Sequence, residues 1–302
     1  MKKIGFFSLL VACTLVACSE SDSSADEQTA PKRLITVEVS ENPVTDEATG
    51  EPVMIKAGAP ALSATRTAEY TTTESLNSFS MNYTGSYKYD FTKTDSEWPT
   101  FSWPGNVGNN DKIDFYAYTA GTFNYIEEDP YVSFTVENEA ASQHDLLIAT
   151  HKNISYNDAG GKVSLSFDHA CAIVQFNIGQ SNTLSKQAVT YTSIDLVGVK
   201  NSGQYHYNDN DSKWKDLTGD ATYTLESASD IIIPVSSTSH TGARPLSCGY
   251  LFMIPQNHSD AKIRVSYTLN SVAKTADVPL TIDWKAGYLY TINVRLGTSI
   301  IK

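Results

Sequence analysis

Apolar residues return at every second position along short stretches of this chain, the period of a β-strand with one buried face. Leu34–Val39 sets Ile35, Val37 and Val39 on one side. Leu76, Phe79, Met81 and Tyr83, then Tyr87, Tyr89 and Phe91, are broken by Thr84-Gly85-Ser86 and read as a hairpin. Ile113–Tyr118, Tyr131–Val136 and Asp145–Ala149 complete a first set of strands. Downstream, Val163, Leu165 and Phe167 occupy odd positions, whereas Ala172, Val174, Phe176 and Ile178 occupy even ones. Strand side chains alternate faces, so that change of parity needs a bulge or bend within Asp168–Cys171, where His169 reads as a structural histidine. Thr192–Val199, Ile231–Val235, Tyr250–Pro255, Lys262–Leu269 and Tyr288–Leu296 continue the pattern, the last entered through the turn Trp284-Lys285-Ala286-Gly287. Many short strands with turn residues between them predict an all-β protein built of β-sandwiches.

The punctuation divides the chain. Asn157-Asp158-Ala159-Gly160-Gly161 strings turn residues between two periodic segments and predicts a join between domains at 34–160 and 161–302. Ser40–Ala64, rich in Pro, Gly, Glu and Ala, reads as one long loop broken by Val53–Ile55. Asn201–Asp220 reads as a solvated hairpin tip; its Asp209, Asp211 and Asp216 lack the spaced acids, central glycine and closing glutamate of a helix-loop-helix calcium site.

Before the first strand the pattern changes. Lys2 and Lys3 precede an apolar run, Ile4–Leu15, that is too short to cross a bilayer, and Leu15-Val16-Ala17-Cys18 follows. This is the arrangement of a bacterial lipoprotein signal. Residues 1–17 form the leader, and Cys18 becomes the lipidated first residue. Acyl chains there contribute about 0.8 kcal/mol per buried methylene, so two or three anchor the chain without a spanning helix. Residues 18–33 are acidic and serine-rich and form a flexible leash. Acids directly after the lipidated cysteine are similar to the signal that sends lipoproteins of some Gram-negative anaerobes to the outer face of the outer membrane.

Charge and composition then narrow the function. Lys and Arg number 22 against 34 Asp and Glu, a formal net charge of −12, which repels phosphate backbones and leaves no basic stripe for nucleic acid. Of four cysteines, Cys13 leaves with the leader and Cys18 takes lipid. Export permits a Cys171–Cys248 disulfide, and two separate buried thiols fit equally well. The six histidines show no metal spacing, and neither a Gly-x-Ser-x-Gly elbow nor a phosphate-cradling glycine loop occurs. No catalytic, cofactor-binding or metal residue is therefore assigned. Arg66 stands in Ser63-Ala64-Thr65-Arg66-Thr67-Ala68, among small residues that an extended protease subsite accepts. Trp98, Trp103, Tyr205 and Trp214 admit a second reading, as a platform of exposed aromatics for a glycan.

The order of motifs along the chain resembles the fimbrillin family of lipoprotein pilins, or type V pilins. The similar stretches are the Arg66 region with Leu76–Phe79, Phe115-Tyr116-Ala117-Tyr118, Gln143–Ala149, Leu165–Ala170, Ile254-Pro255-Gln256 and Trp284–Ile292. The resemblance implies two tandem transthyretin-like β-sandwich domains. It also implies assembly by strand exchange with other pilin subunits, after a trypsin-like protease cuts between Arg66 and Thr67 and Leu34–Val39 departs. Stalk-forming members carry further donor strands where this chain has only Gly297–Lys302. The expectation is thus a subunit at the tip or anchor of a fimbria, or a solitary lipoprotein, that contacts a host or bacterial surface ligand.

Overall fold

Alternation becomes pairing in the structure, a computed structural model that describes residues 32–53, 76–84, 87–209, 213–236, 243–257 and 260–297. In chain order the strands are β1 (Leu34–Glu41), β2 (Val44–Asp46), β3 (Pro52–Val53), β4 (Ser78–Tyr83), β5 (Lys88–Thr92), β6 (Phe101–Ser102) and β7 (Ile113–Tyr118). There follow β8 (Thr122–Asn124), β9 (Tyr131–Thr135), β10 (Leu147–Ile154), β11 (Lys162–His169), β12 (Ala172–Gln180) and β13 (Val189–Val199). The last are β14 (Ser202–His206), β15 (Trp214–Thr218), β16 (Ala221–Ile231), β17 (Arg244–Met253), β18 (Lys262–Leu269), β19 (Val272–Pro279) and β20 (Tyr288–Leu296). The all-β expectation holds.

The first sheet has the order β5-β4-β7-β10-β11-β1-β6. Its two end strands meet: Tyr89 Oη donates to the Ser102 carbonyl at 2.9 Å, and the Phe101 ring lies 5.0 Å from Tyr89 and 5.9 Å from Phe91. The sheet thus curls around one buried cluster that includes Ile35, Val37, Phe79, Phe115, Leu165 and Phe167. A second, larger cluster is enclosed by three further sheets, β17-β12-β20-β2-β3, β16-β13-β18-β19 and β15-β14-β9-β8.

Two strands serve both clusters over part of their length, which explains the continuous apolar runs Phe115–Tyr118 and Leu146–Ala149. Along β7, Phe115 and Ala117 face the first cluster while Tyr116 and Tyr118 face the second; along β10, Leu147 and Ala149 face the first and Ile148 the second. A strand buried on both faces has no polar row. With this wall shared, Arg33–Lys302 groups as one unit.

The Asn157–Gly161 turn lies within the first sheet. One helical turn, α1 (Tyr156–Ala159), is capped by Ser155, whose Oγ accepts from the Asp158 amide at 3.1 Å; Gly160 closes it at φ +56°, and β10 gives way to its neighbour β11. The chain, which has already entered the second cluster at Val44 and at Val132–Val136, passes from the first cluster to the second between Phe167 and Ala170, where the parity switch required a bend. There β11 ends and β12 begins in a different sheet.

Three segments differ from expectation for identifiable reasons. Ser40–Ala64 is not wholly a loop, because β2 and β3 pair with each other and β2 pairs with β20. In the Asn201–Asp220 hairpin, whose residues 210–212 lie outside the described ones, the two large aromatics are not at a solvated tip: Tyr207 and Trp214 are buried, bonding through Tyr207 Oη to the Ala117 carbonyl (3.0 Å) and through Trp214 Nε1 to the Ala170 carbonyl (2.7 Å). Asp145 precedes β10 rather than starting it, since its side chain is turned inward to His169.

Candidate functional site

β1 lies in a seat with walls on both sides. Six of its residues, Thr36 to Glu41, pair in parallel with β11, and Leu34 and Ile35 pair antiparallel with β6. Parallel pairing of a first strand with one far along the chain means that no short turn holds β1 in place. Alternation sorts its side chains. Ile35 and Val37 are buried and Val39 half-buried, all against the first cluster.

The opposite row faces solvent and is polar. Glu38 Oε1 lies 2.5 Å from Lys162 Nζ, and Ser164 Oγ donates to Glu38 Oε2 at 3.3 Å. The Lys162 hydrogen bond and charge hold the Glu38 carboxyl below its ordinary pKa. Ser40 Oγ bonds Ser166 Oγ at 3.3 Å, Asn42 Nδ2 donates to Asp168 Oδ1 at 2.7 Å, and Ser166 Oγ donates to Asn42 Oδ1 at 3.2 Å.

Both ends of the strand are fastened. At the start, the Arg33 guanidinium donates to the Pro104 carbonyl (2.7 Å), the Val107 carbonyl (2.9 Å) and Asn109 Oδ1 (2.6 Å), and it lies over the Tyr156 ring. At the finish, the Asn42 amide donates to the Phe167 carbonyl at 2.9 Å. After Pro43 the chain changes sheets: Val44 is buried in the second cluster, and the Thr45 and Glu47 amides donate to the Gly287 and Leu289 carbonyls. One N-terminal segment therefore completes two sheets.

Beneath the finish of β1 lies a buried ion pair. His169 Nδ1 contacts Asp145 Oδ2, and both side chains are almost wholly enclosed. Burial alone would push the His169 pKa down, but the Asp145 charge and hydrogen bond, with Glu41 and the Asn42 backbone beyond them, hold it above the ordinary histidine value. The next residues are pinned by main-chain partners, Ala170 by Trp214 and Cys171 by the Gly287 amide.

Of the residues singled out by sequence, Cys18, Arg66 and Thr67 lie outside the described residues. Cys171 is a buried free thiol and Cys248 a half-buried one. On the β12–β17 ladder Ala172 faces Met253 and Gln175 faces Tyr250, so Cys171 and Cys248 stand about five residues apart along the strands. At ~3.3 Å per residue this is beyond disulfide reach. Burial pushes the Cys171 thiol well above its ordinary pKa and the Cys248 thiol up to about 12, so neither presents a reactive thiolate.

The aromatic platform does not form. Trp103 and Trp214 are buried, Trp98 packs edge-on to Phe79 under Lys93, and Tyr205 meets Trp214 at 82°. Trp98 and Trp103 belong to the first cluster and Tyr205 and Trp214 to the second, which separates the four into two cores. Sequence reasoning missed the Arg33 clasp, the β2–β20 pairing and the Asp145–His169 pair. The last left only a faint trace, an acid and a histidine each at the edge of an apolar run, with nothing to say that they meet.

The family model described as fimbrillin-like matches residues 54–302. Among solved structures the chain is similar to a fimbrial protein from Bacteroides vulgatus, at 16% identity over 89% of this chain and 96% of that one, with a TM-score of 0.53. It is also similar to candidate cell adhesion proteins from Bacteroides eggerthii (10% identity, 89% and 87% covered, TM-score 0.55) and Bacteroides ovatus (11%, 88% and 93%, TM-score 0.50). At these identities the likeness to solved structures is one of fold. No curated protein matches the sequence.

Proposed function

The chain belongs to the fimbrillin-like family, and from that premise we infer that it is a surface-anchored fimbrial subunit acting in adhesion and assembled by strand exchange. The seat of β1 carries this reading. Residues 34–53 are held to the rest by pairing and side-chain contacts, and the covalent path back to β4 runs through the stretch containing Arg66. Cutting between Arg66 and Thr67 frees β1, β2 and β3 to leave together. Their departure uncovers the backbone N–H and C=O groups of β11 beside an apolar slot lined by Val163, Leu165 and Phe167, and bares the β20 edge as well. Such a surface accepts an extended segment by β-augmentation. The two buried clusters support two transthyretin-like sandwiches that share the wall of β7 and β10, the second also drawing β2, β8 and β9 from before β11.

The N-terminus of protein shed from cells tests the reading. Sequencing is expected to find Thr67 first, which suits a fimbrial tip; a lipidated Cys18 start alone would retire strand removal and leave an anchor. Lipid at Cys18 is read out separately. Cys18→Ala is expected to move the protein from the membrane fraction to the medium or periplasm, and continued sedimentation with membranes would contradict the anchor.

A further inference from the structure

The apolar row of β1 cannot specify which end of a strand enters first. Ile35, Val37 and Val39 repeat every two residues, and a two-residue repeat reads the same in either direction. Parity decides which face goes inward. Direction must come from groups that differ between the two ends of the seat.

The solvent face of β11 has such groups. Its outward row runs Lys162, Ser164, Ser166, Asp168, with a cation at the start and an anion at the finish. Opposite it, β1 presents Thr36, Glu38, Ser40 and then Asn42. Glu38 lies beside the cation and the Asn42 carboxamide beside the anion. Turned end for end in the same seat, the strand would bring its carboxylate next to Asp168 and its carboxamide next to Lys162. Glu41 does not alter this arithmetic, because it belongs to the inward-facing row and accepts from the Leu76 amide.

We propose that Lys162 and Asp168 are a direction code: the vacated seat selects a segment of another subunit that runs parallel to β11, with a carboxylate placed to reach Lys162 and an uncharged carboxamide four residues later placed to reach Asp168. The preferred pattern is apolar-x-apolar-acid-apolar-x-x-carboxamide, the arrangement of Ile35 to Asn42. This rests on the strand-exchange reading above and adds to it a rule for partner choice. Ion pairs this exposed contribute little to affinity, so the code works as a discriminator between directions and partners.

The experiment uses the full mature chain nicked after Arg66 by a trypsin-like protease. Binding of labelled synthetic peptides spanning residues 34–42 is followed by fluorescence anisotropy. The native peptide is expected to bind most tightly. Peptides carrying Glu38→Lys or Asn42→Asp should bind about three- to tenfold more weakly, and the order-reversed peptide should fall in the same range. Lys162→Glu in the acceptor should invert the preference at residue 38, Asp168→Asn should rescue the Asn42→Asp peptide, and 1 M salt should level all differences. Nicked protein that never releases residues 34–53 would overturn strand exchange itself. Release followed by equal binding of all the peptides, or by differences that 1 M salt leaves intact, would overturn the code while leaving strand exchange standing.

Discussion

Asp145→Leu is expected to destabilise the protein by about 3–5 kcal/mol, the usual loss when one member of a buried ion pair is removed and the other is left uncompensated. His169 is the member left behind. Its side chain is shut from solvent at the place where β11 passes into β12, with its Nδ1 directed at Asp145 Oδ2. Denaturant midpoints measure the loss, and the double variant Asp145→Leu/His169→Leu should recover part of it, since an apolar pair leaves no charge to solvate. If the double variant loses as much as the sum of the two singles, the ion pair is not what holds the junction.

The same pair predicts a pH dependence. The folded His169 pKa is raised above the value of about 6.5 expected in the unfolded chain. Its contribution to stability is therefore complete below about pH 6.5 and is lost as the pH rises through the raised folded value. The wild type should show a decline on that alkaline limb that His169→Gln lacks, and parallel curves for the two would count against the assignment.

The second large effect concerns the strand proposed to leave. Ile35→Ala empties a fully buried site between β11 and β6, and is expected to cost the intact protein about 2–4 kcal/mol. In protein nicked after Arg66, the same change should weaken retention of residues 34–53 by roughly two orders of magnitude, at about 1.4 kcal/mol per tenfold. Leu34→Ala, at an exposed neighbour, should stay within about 0.5 kcal/mol. Fragment retention that ignores Ile35→Ala would show that β1 is not held through its apolar row.

What could be read from the sequence follows from which rows are purely apolar. Leu34–Val39 announces β1, Ile113–Tyr118 coincides with β7, and the parity change across Asp168–Cys171 locates the passage between cores. β19 escaped because its row is Val272, Lys274, Ala276 and Val278, a half-buried edge too weakly apolar to stand out, joined to β18 by Asn270 and Ser271, both at positive φ. β2 and β3 escaped because five residues in two strands carry almost no period. The hairpin of β14 and β15 was recognised, but not its burial, because Tyr207 and Trp214 lie among Asn, Asp and Lys and reach the core through long side chains. The Asp145–His169 contact joins residues from either side of α1, and spacing along a chain carries no sign of such a meeting.

The contact of Tyr89 with Ser102, between the two end strands of the first sheet, bears on what a vacancy in it can do. An open sheet that loses a strand gains a margin along which copies can stack sideways without end. A strand seated between two neighbours, as β1 is between β11 and β6, leaves instead a slot with a wall on each side, and a single replacement fills it. Under the proposed exchange that slot takes a single extended segment, and the β20 edge bared with it belongs to an open sheet, so the two vacancies left by one departing segment differ in how many partners they admit.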